Sequence, residues 1–168
     1  MRKRIGRSRA VWVIVGILIG MVLAGQWLDT PARAVATDRG TGFVVATGRL
    51  DENIEGLYVL DLTTGDLSGV MLNRQTITFS NRYTYNVLKD FEGATDPQFT
   101  MVTGLADLRR GPTGQIQPSD AVIYVAELTT GRVVAYSVPW SRSAQSAGKP
   151  FQGDFVRLDY TKFRAGGP

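Results

Sequence analysis

LYVLDLTTGDLSGV, residues 57–70, returns at residues 123–136 as IYVAELTTGRVVAY, with Tyr, Val, Leu, Thr, Thr and Gly held at 6 of 14 positions. Along the first copy Leu57, Val59 and Asp61 alternate with Tyr58, Leu60 and Leu62, the two-residue period of a strand. Thr-Thr-Gly then supplies a turn whose glycine is free to take positive φ, and a second short strand follows. Each copy is predicted to be a β-hairpin. The fold class that follows is mainly β: an antiparallel meander of two repeated hairpin units with one short helix, plus an N-terminal membrane helix.

Outside the hairpins the repeat continues more faintly. FVVATG at 43–48 is echoed by FTMVTG at 99–104, an offset of 56 against 66 for the hairpins, so the second copy holds 66 − 56 = 10 extra residues before its hairpin. They fall in the loop 105–121, and inserted loops on repeated scaffolds are a common place for function. Arg109 and Arg110 in that loop can meet an anionic ligand or partner. No phosphate-cradling glycine pattern accompanies them, and two solvated arginines are the plain alternative. Trp140, after Pro139, either caps the core or offers an aromatic contact. Arg109, Arg110 and Trp140 are the candidate interaction residues.

SNRYTYNVLKDFEG, residues 80–93, spaces Tyr83, Val87 and Phe91 four apart, with Ser80 as N-cap and Gly93 as terminator, and predicts the short helix with Tyr83 facing the core. Residues 49–56 carry Asp51, Glu52, Asn53 and Glu55 in a spacing unlike a calcium loop, and read as a solvated hairpin loop. Residues 155–163 alternate as a closing strand with one wet face.

The chain has 168 residues, 19 basic and 15 acidic, a formal charge of +4. Six basic groups and one acid lie in residues 1–36, which is +5, so the remainder is 4 − 5 = −1. The basic balance belongs to a leader, and nucleic acid is not an expected partner. There is no cysteine and no histidine, which excludes a disulfide framework, a thiol nucleophile, a Cys/His zinc site and any Ser-His pair. No cofactor and no metal is assigned.

A basic cluster from Arg2 to Arg9 precedes 16 apolar or small residues, AVWVIVGILIGMVLAG. The layout read from this is a basic cytoplasmic segment at 1–9, a transmembrane anchor or uncleaved signal at 10–28, a linker at 29–41, one exported β-rich domain at 42–164 and a disordered tail at 165–168. Cleavage after Ala34-Val35-Ala36 is the alternative. The lipid bilayer is then a partner through the N-terminal helix.

At YVLDLTTGDLSG (58–69) and YVAELTTGRVVAY (124–136) the chain resembles the blades of quinoprotein-like β-propellers, where a strand ending in an acid leads into a Thr-Gly turn. It is similar in this to exported bacterial proteins with two such repeats. The resemblance implies blade-like sheets and no particular activity, and two copies fall short of the about four blades that a closed propeller needs.

Two functions are weighed. The first is a membrane-anchored envelope protein with a non-enzymatic binding or structural β-domain facing outward, on the inner membrane with its N-terminus inside, its partner an envelope protein or a second copy. The second is a carboxylate enzyme acting on glycans, with Asp61 and Glu127 as its acids, in an anchored, periplasmic or secreted form. An acid before a TTG turn also has a structural use, since it can accept hydrogen bonds from the turn backbone.

Overall fold

The computed structural model describes residues 7–25, 37–74, 76–93, 96–108 and 116–164. The chain divides into two compact units, Met1–Ala34 and Val35–Pro168. Within the first, helix α1 runs over Arg7–Gly25, 19 residues. Its described side chains, at 11–21, are apolar or small and exposed on every side. Among the described residues no helix is long and apolar enough to cross a membrane. The apolar part of α1 begins only at Ala10, which leaves about 24 Å at 1.5 Å per residue against about 30 Å of hydrocarbon. The expected spanning helix at 10–28 is thus corrected to a shorter apolar helix, and Trp27 and Leu28 lie outside the described residues.

The second unit is built from two sheets. Strands β1 (Thr37–Arg39), β2 (Phe43–Asp51), β3 (Ile54–Asp61), β4 (Asp66–Asn73) and β5 (Thr78–Asn86) come first in the chain. They are followed by β6 (Phe99–Leu105), β7 (Gln117–Glu127), β8 (Arg132–Trp140), helix α2 (Arg142–Ser146), β9 (Gln152–Asp154) and β10 (Val156–Lys162). One sheet has the order β1-β2-β3-β4-β5-β9 and the other β10-β8-β7-β6. All pairings are antiparallel except β5 with β9. Residues 37–39, expected in a linker, add an edge strand to β2.

The repeat holds down to register. In β2–β3, Phe43 faces Asp61 and Gly48 faces Gly56, while in β6–β7, Phe99 faces Glu127 and Gly104 faces Val122. In the hairpins, Leu60 opposite Leu67 is matched by Ala126 opposite Val133, and Tyr58 opposite Gly69 by Tyr124 opposite Ala135. A fourth strand belongs to each copy. Leu67 pairs with Tyr85 on β5 as Val133 pairs with Thr161 on β10, an offset of 161 − 85 = 76. The backbone bond from Val87 N to the Gly65 carbonyl, 2.9 Å, recurs from Phe163 N to the Gly131 carbonyl at 2.9 Å. Each copy is therefore a four-stranded meander, β2-β3-β4-β5 and β6-β7-β8-β10.

The expected helix over residues 83–91 is a strand followed by one 3-10 turn, Val87–Asp90. The four-residue spacing of Tyr83, Val87 and Phe91 coexists with a two-residue alternation through Asn81, Tyr83 and Tyr85. The β4 edge satisfies the backbone of that second pattern, so cross-strand pairing overrides the helical one. All three stripe residues are still buried, Tyr83 against Phe151 and Phe155 at 5.8 and 5.9 Å between ring centres. The short helix of this domain is α2 instead, in a stretch expected as loop. Ser141 caps it, its hydroxyl accepting from Ala144 N at 3.3 Å.

The meanders pack face to face around one core, with β2 against β6 and β7, Tyr85 against Tyr136 and Phe91 against Phe99. They do not bury the same face. The first buries Val44, Ala46, Tyr58, Leu60 and Leu67. Their counterparts Thr100, Val102, Tyr124, Ala126 and Val133 lie on the outside of the second. The second buries Phe99, Met101, Ile123, Val125 and Tyr136, whose counterparts Phe43, Val45, Leu57, Val59 and Val70 lie on the outside of the first. The packing is front to back.

Candidate functional site

The acids before the two TTG turns are engaged by the turns themselves. Asp61 Oδ1 accepts from Thr63 N at 2.8 Å and Thr64 N at 3.1 Å. Glu127 is fully buried and has four donors: Thr129 N at 2.8 Å, Thr130 N at 2.7 Å, the Thr130 hydroxyl at 2.6 Å and Gln98 N at 3.3 Å. Burial pushes the Glu127 carboxyl up. The hydrogen bonds from the Thr130 hydroxyl, the Thr130 amide and the Thr129 amide outweigh it and hold the group down at about 2. A carboxylate held this way stays ionised and has its lone pairs spent, so it is poorly suited to donate a proton to a leaving group. Gly65 and Gly131 close the turns at φ 72° and 71°.

Trp140 is buried at the end of β8, and its indole Nε1 donates to Asp51 Oδ2 at 3.0 Å. It caps the core. The Arg142 guanidinium grips both oxygens of the same carboxylate, through Nε to Oδ2 and Nη2 to Oδ1. Burial raises the Asp51 carboxyl, but Arg142, the Glu52 amide and Trp140 hold it below its ordinary range. Asp51, expected in a solvated loop, thus staples the β2–β3 turn to the end of β8. The turn itself is shorter than expected, with only Glu52 and Asn53 between the strands. Asp90 plays a similar part, accepting from the Tyr136 hydroxyl at 2.9 Å and from Arg157 Nη1 at 3.0 Å. Burial and then this bond to Asp90 push the Tyr136 phenol up. Neither cluster is visible in the sequence, because the two acids lie 46 to 91 positions from their partners Tyr136, Arg157, Trp140 and Arg142.

Arg109 and Arg110 lie outside the described residues. The described flanks place the insertion after β6 and before β7, where the first copy has its two-residue turn. An open groove of about 740 Å³ lies beside the first TTG turn, lined by Thr41, Thr63, Asp96, Gln98 and Phe99 among others. Among the described residues no group of His, Cys, Asp and Glu is placed to hold a metal ion.

The remaining candidates are the two outer sheet faces. That of the first meander carries Phe43, Val45, Leu57, Val59, Val70 and Leu72, with Phe43 52% and Leu72 49% exposed. That of the second carries Val102, Tyr124, Ala126, Val133 and Ala135, with Val102 51% and Tyr124 37% exposed. Both faces are apolar across several neighbouring strands, the kind of patch that marks an interaction surface. Comparison with family models, with curated proteins and with solved structures gives no match.

Proposed function

We propose that this chain is a membrane-anchored envelope protein whose β-domain faces outward and works by binding or assembly rather than by catalysis. The observation that carries this reading is the apolar outer face of the first meander, from Phe43 on β2 to Leu72 on β4. Such a surface is costly to leave in water and suits a partner sheet or side-chain cluster. Engagement of Asp61 and Glu127 by their own turns supports a structural use of these two acids. The anchoring part draws on the basic cluster ahead of α1 and on a helix apolar all the way round, which calls for a non-aqueous surrounding.

A secreted form is the second reading. Cleavage after Ala36 would release a chain whose first residue, Thr37, opens β1. Expression of the full sequence in a bacterial host, alkaline carbonate extraction of the membranes and mass measurement of the intact product separate the two. The anchored form stays in the pellet at the full-length mass. A soluble product beginning at Thr37 would overturn anchoring and leave the binding domain.

A further inference from the structure

Front-to-back packing has no natural end. When two like units join through unlike faces, each leaves one face of the other kind free, and association through such faces continues as an open filament unless the rotation between units closes it into a ring. Here the free face of the first meander is the counterpart, position by position, of the face the second has already buried. Phe43 answers to Phe99, Val45 to Met101, Leu57 to Ile123 and Val59 to Val125. The free face of the second answers to the buried face of the first.

That second correspondence extends to side-chain placement. In the core, the Tyr58 ring lies over Gly48, where an added Cβ would come within 3.1 Å of Tyr58 Cε2. On the outside, the Tyr124 ring lies over Gly104 in the same way, at 2.9 Å. The outer face of the second meander is shaped like a face that is packed, yet among the described residues Val102 and Tyr124 on it stay 51% and 37% exposed.

We propose that the occupant is a second copy of this chain: the outer face of the second meander receives the outer face of the first meander of the next molecule, and the copies close head to tail into a ring. Rings of four-stranded units close at about four to eight units. At two units per chain, that is two to four copies. The proposal rests on the binding role given above and names its partner.

The test uses the full chain in detergent, with protein mass read by light scattering after gel filtration and folding by far-UV circular dichroism. The wild type is expected at two to four times 18.3 kDa, unchanged over a hundredfold dilution. Val59→Asp spoils one outer face and Tyr124→Asp the other, so each variant alone is expected as a folded monomer. Mixed in equal amounts, they retain one good face of each kind and are expected to form a dimer that grows no further. If either variant fails to fold, Val45→Lys and Ala135→Lys replace the pair. A monomeric wild type, a mass untouched by either substitution as association through α1 would give, or a mixture that stays monomeric overturns the proposal. A monomer that still pellets with carbonate-washed membranes sinks the ring alone and leaves the anchored binding domain standing.

Discussion

The two meanders share strand register, turn type and capping acid, yet each buries the face that the other exposes. Tyr58 and Tyr124 state the difference most sharply, since each stands second in its hairpin repeat and covers an equivalent glycine. Tyr58 is fully buried and meets Phe155 at 6.1 Å, whereas Tyr124 is 37% exposed. Duplication therefore sets the framework of each sheet, and packing decides which side is inside. A strand with apolar residues at both parities, as in 57–60, can serve either way round.

Truncating the two tyrosines should give the largest separation. Tyr58→Ala removes a ring enclosed by the core and is expected to cost about 3–5 kcal/mol of stability. Tyr124→Ala removes a ring open to solvent and is expected to cost about 1 kcal/mol or less, measured on the singly dispersed chain. Urea melts followed by circular dichroism check both. Equal losses would mean that the second meander's outer face is covered even in the single chain, which would break the front-to-back description.

The capping acids come next. Glu127→Ala deletes a buried carboxylate with four donors and is expected to cost on the order of 3 kcal/mol near neutral pH. Asp61→Ala removes an acceptor in a half-buried turn and is expected to cost about 1 kcal/mol. The two also differ in pH dependence. The folded Glu127 carboxyl, near 2, lies below its ordinary 4.5, so its contribution is complete above 4.5 and is lost as pH falls toward 2. The stability gap between wild type and Glu127→Gln should hold from pH 7 to about 5 and narrow below it. A gap that widens with acid would mean that the carboxyl is not held ionised by its turn.

What the sequence disclosed and what it withheld divide along the same line. The hairpins, the TTG turns with their acids, the β2–β6 correspondence and the presence of the closing strand β10 could all be read from alternation and turn chemistry. The dry face expected of β10 is absent: a register shift at Arg157/Asp159 breaks the alternation, and Val156 and Tyr160 are 47% and 53% exposed. The four-residue stripe predicts Tyr83 in the core correctly and its element wrongly, because burial of that stripe is common to helix and strand patterns. The fourth strands were invisible as a repeat: SNRYTYN and VRLDYTK share little, and only pairing with β4 and β8 makes them equivalent. The Asp51–Trp140–Arg142 cluster depends on a fold that brings residue 51 to residue 142, which no local pattern encodes. Nor could the buried face be chosen from 57–60, where Tyr58 and Leu60 alternate with the equally apolar Leu57 and Val59.

The smallest contrast lies in the turn glycines, which share one conformation and differ in what stands above them. Gly65 and Gly131 hold φ of 72° and 71°, so alanine at either pays about 1–2 kcal/mol for the left-handed backbone. Their surroundings then separate them. A Cβ on Gly65 would meet Leu88 Cγ at 2.7 Å, and Leu88 is an exposed side chain that can turn aside. A Cβ on Gly131 would meet Arg164 Cβ at 2.5 Å and Arg164 N at 2.9 Å, atoms fixed by the bond from Phe163 N to the Gly131 carbonyl just before them. Backbone moves less readily than the end of a leucine, so Gly131→Ala should cost about 1 kcal/mol more than Gly65→Ala. Paired urea melts decide it. Equal costs would mean that the segment after Lys162 yields as easily as Leu88, and that the bond closing the second copy is weaker than its twin from Val87 to Gly65.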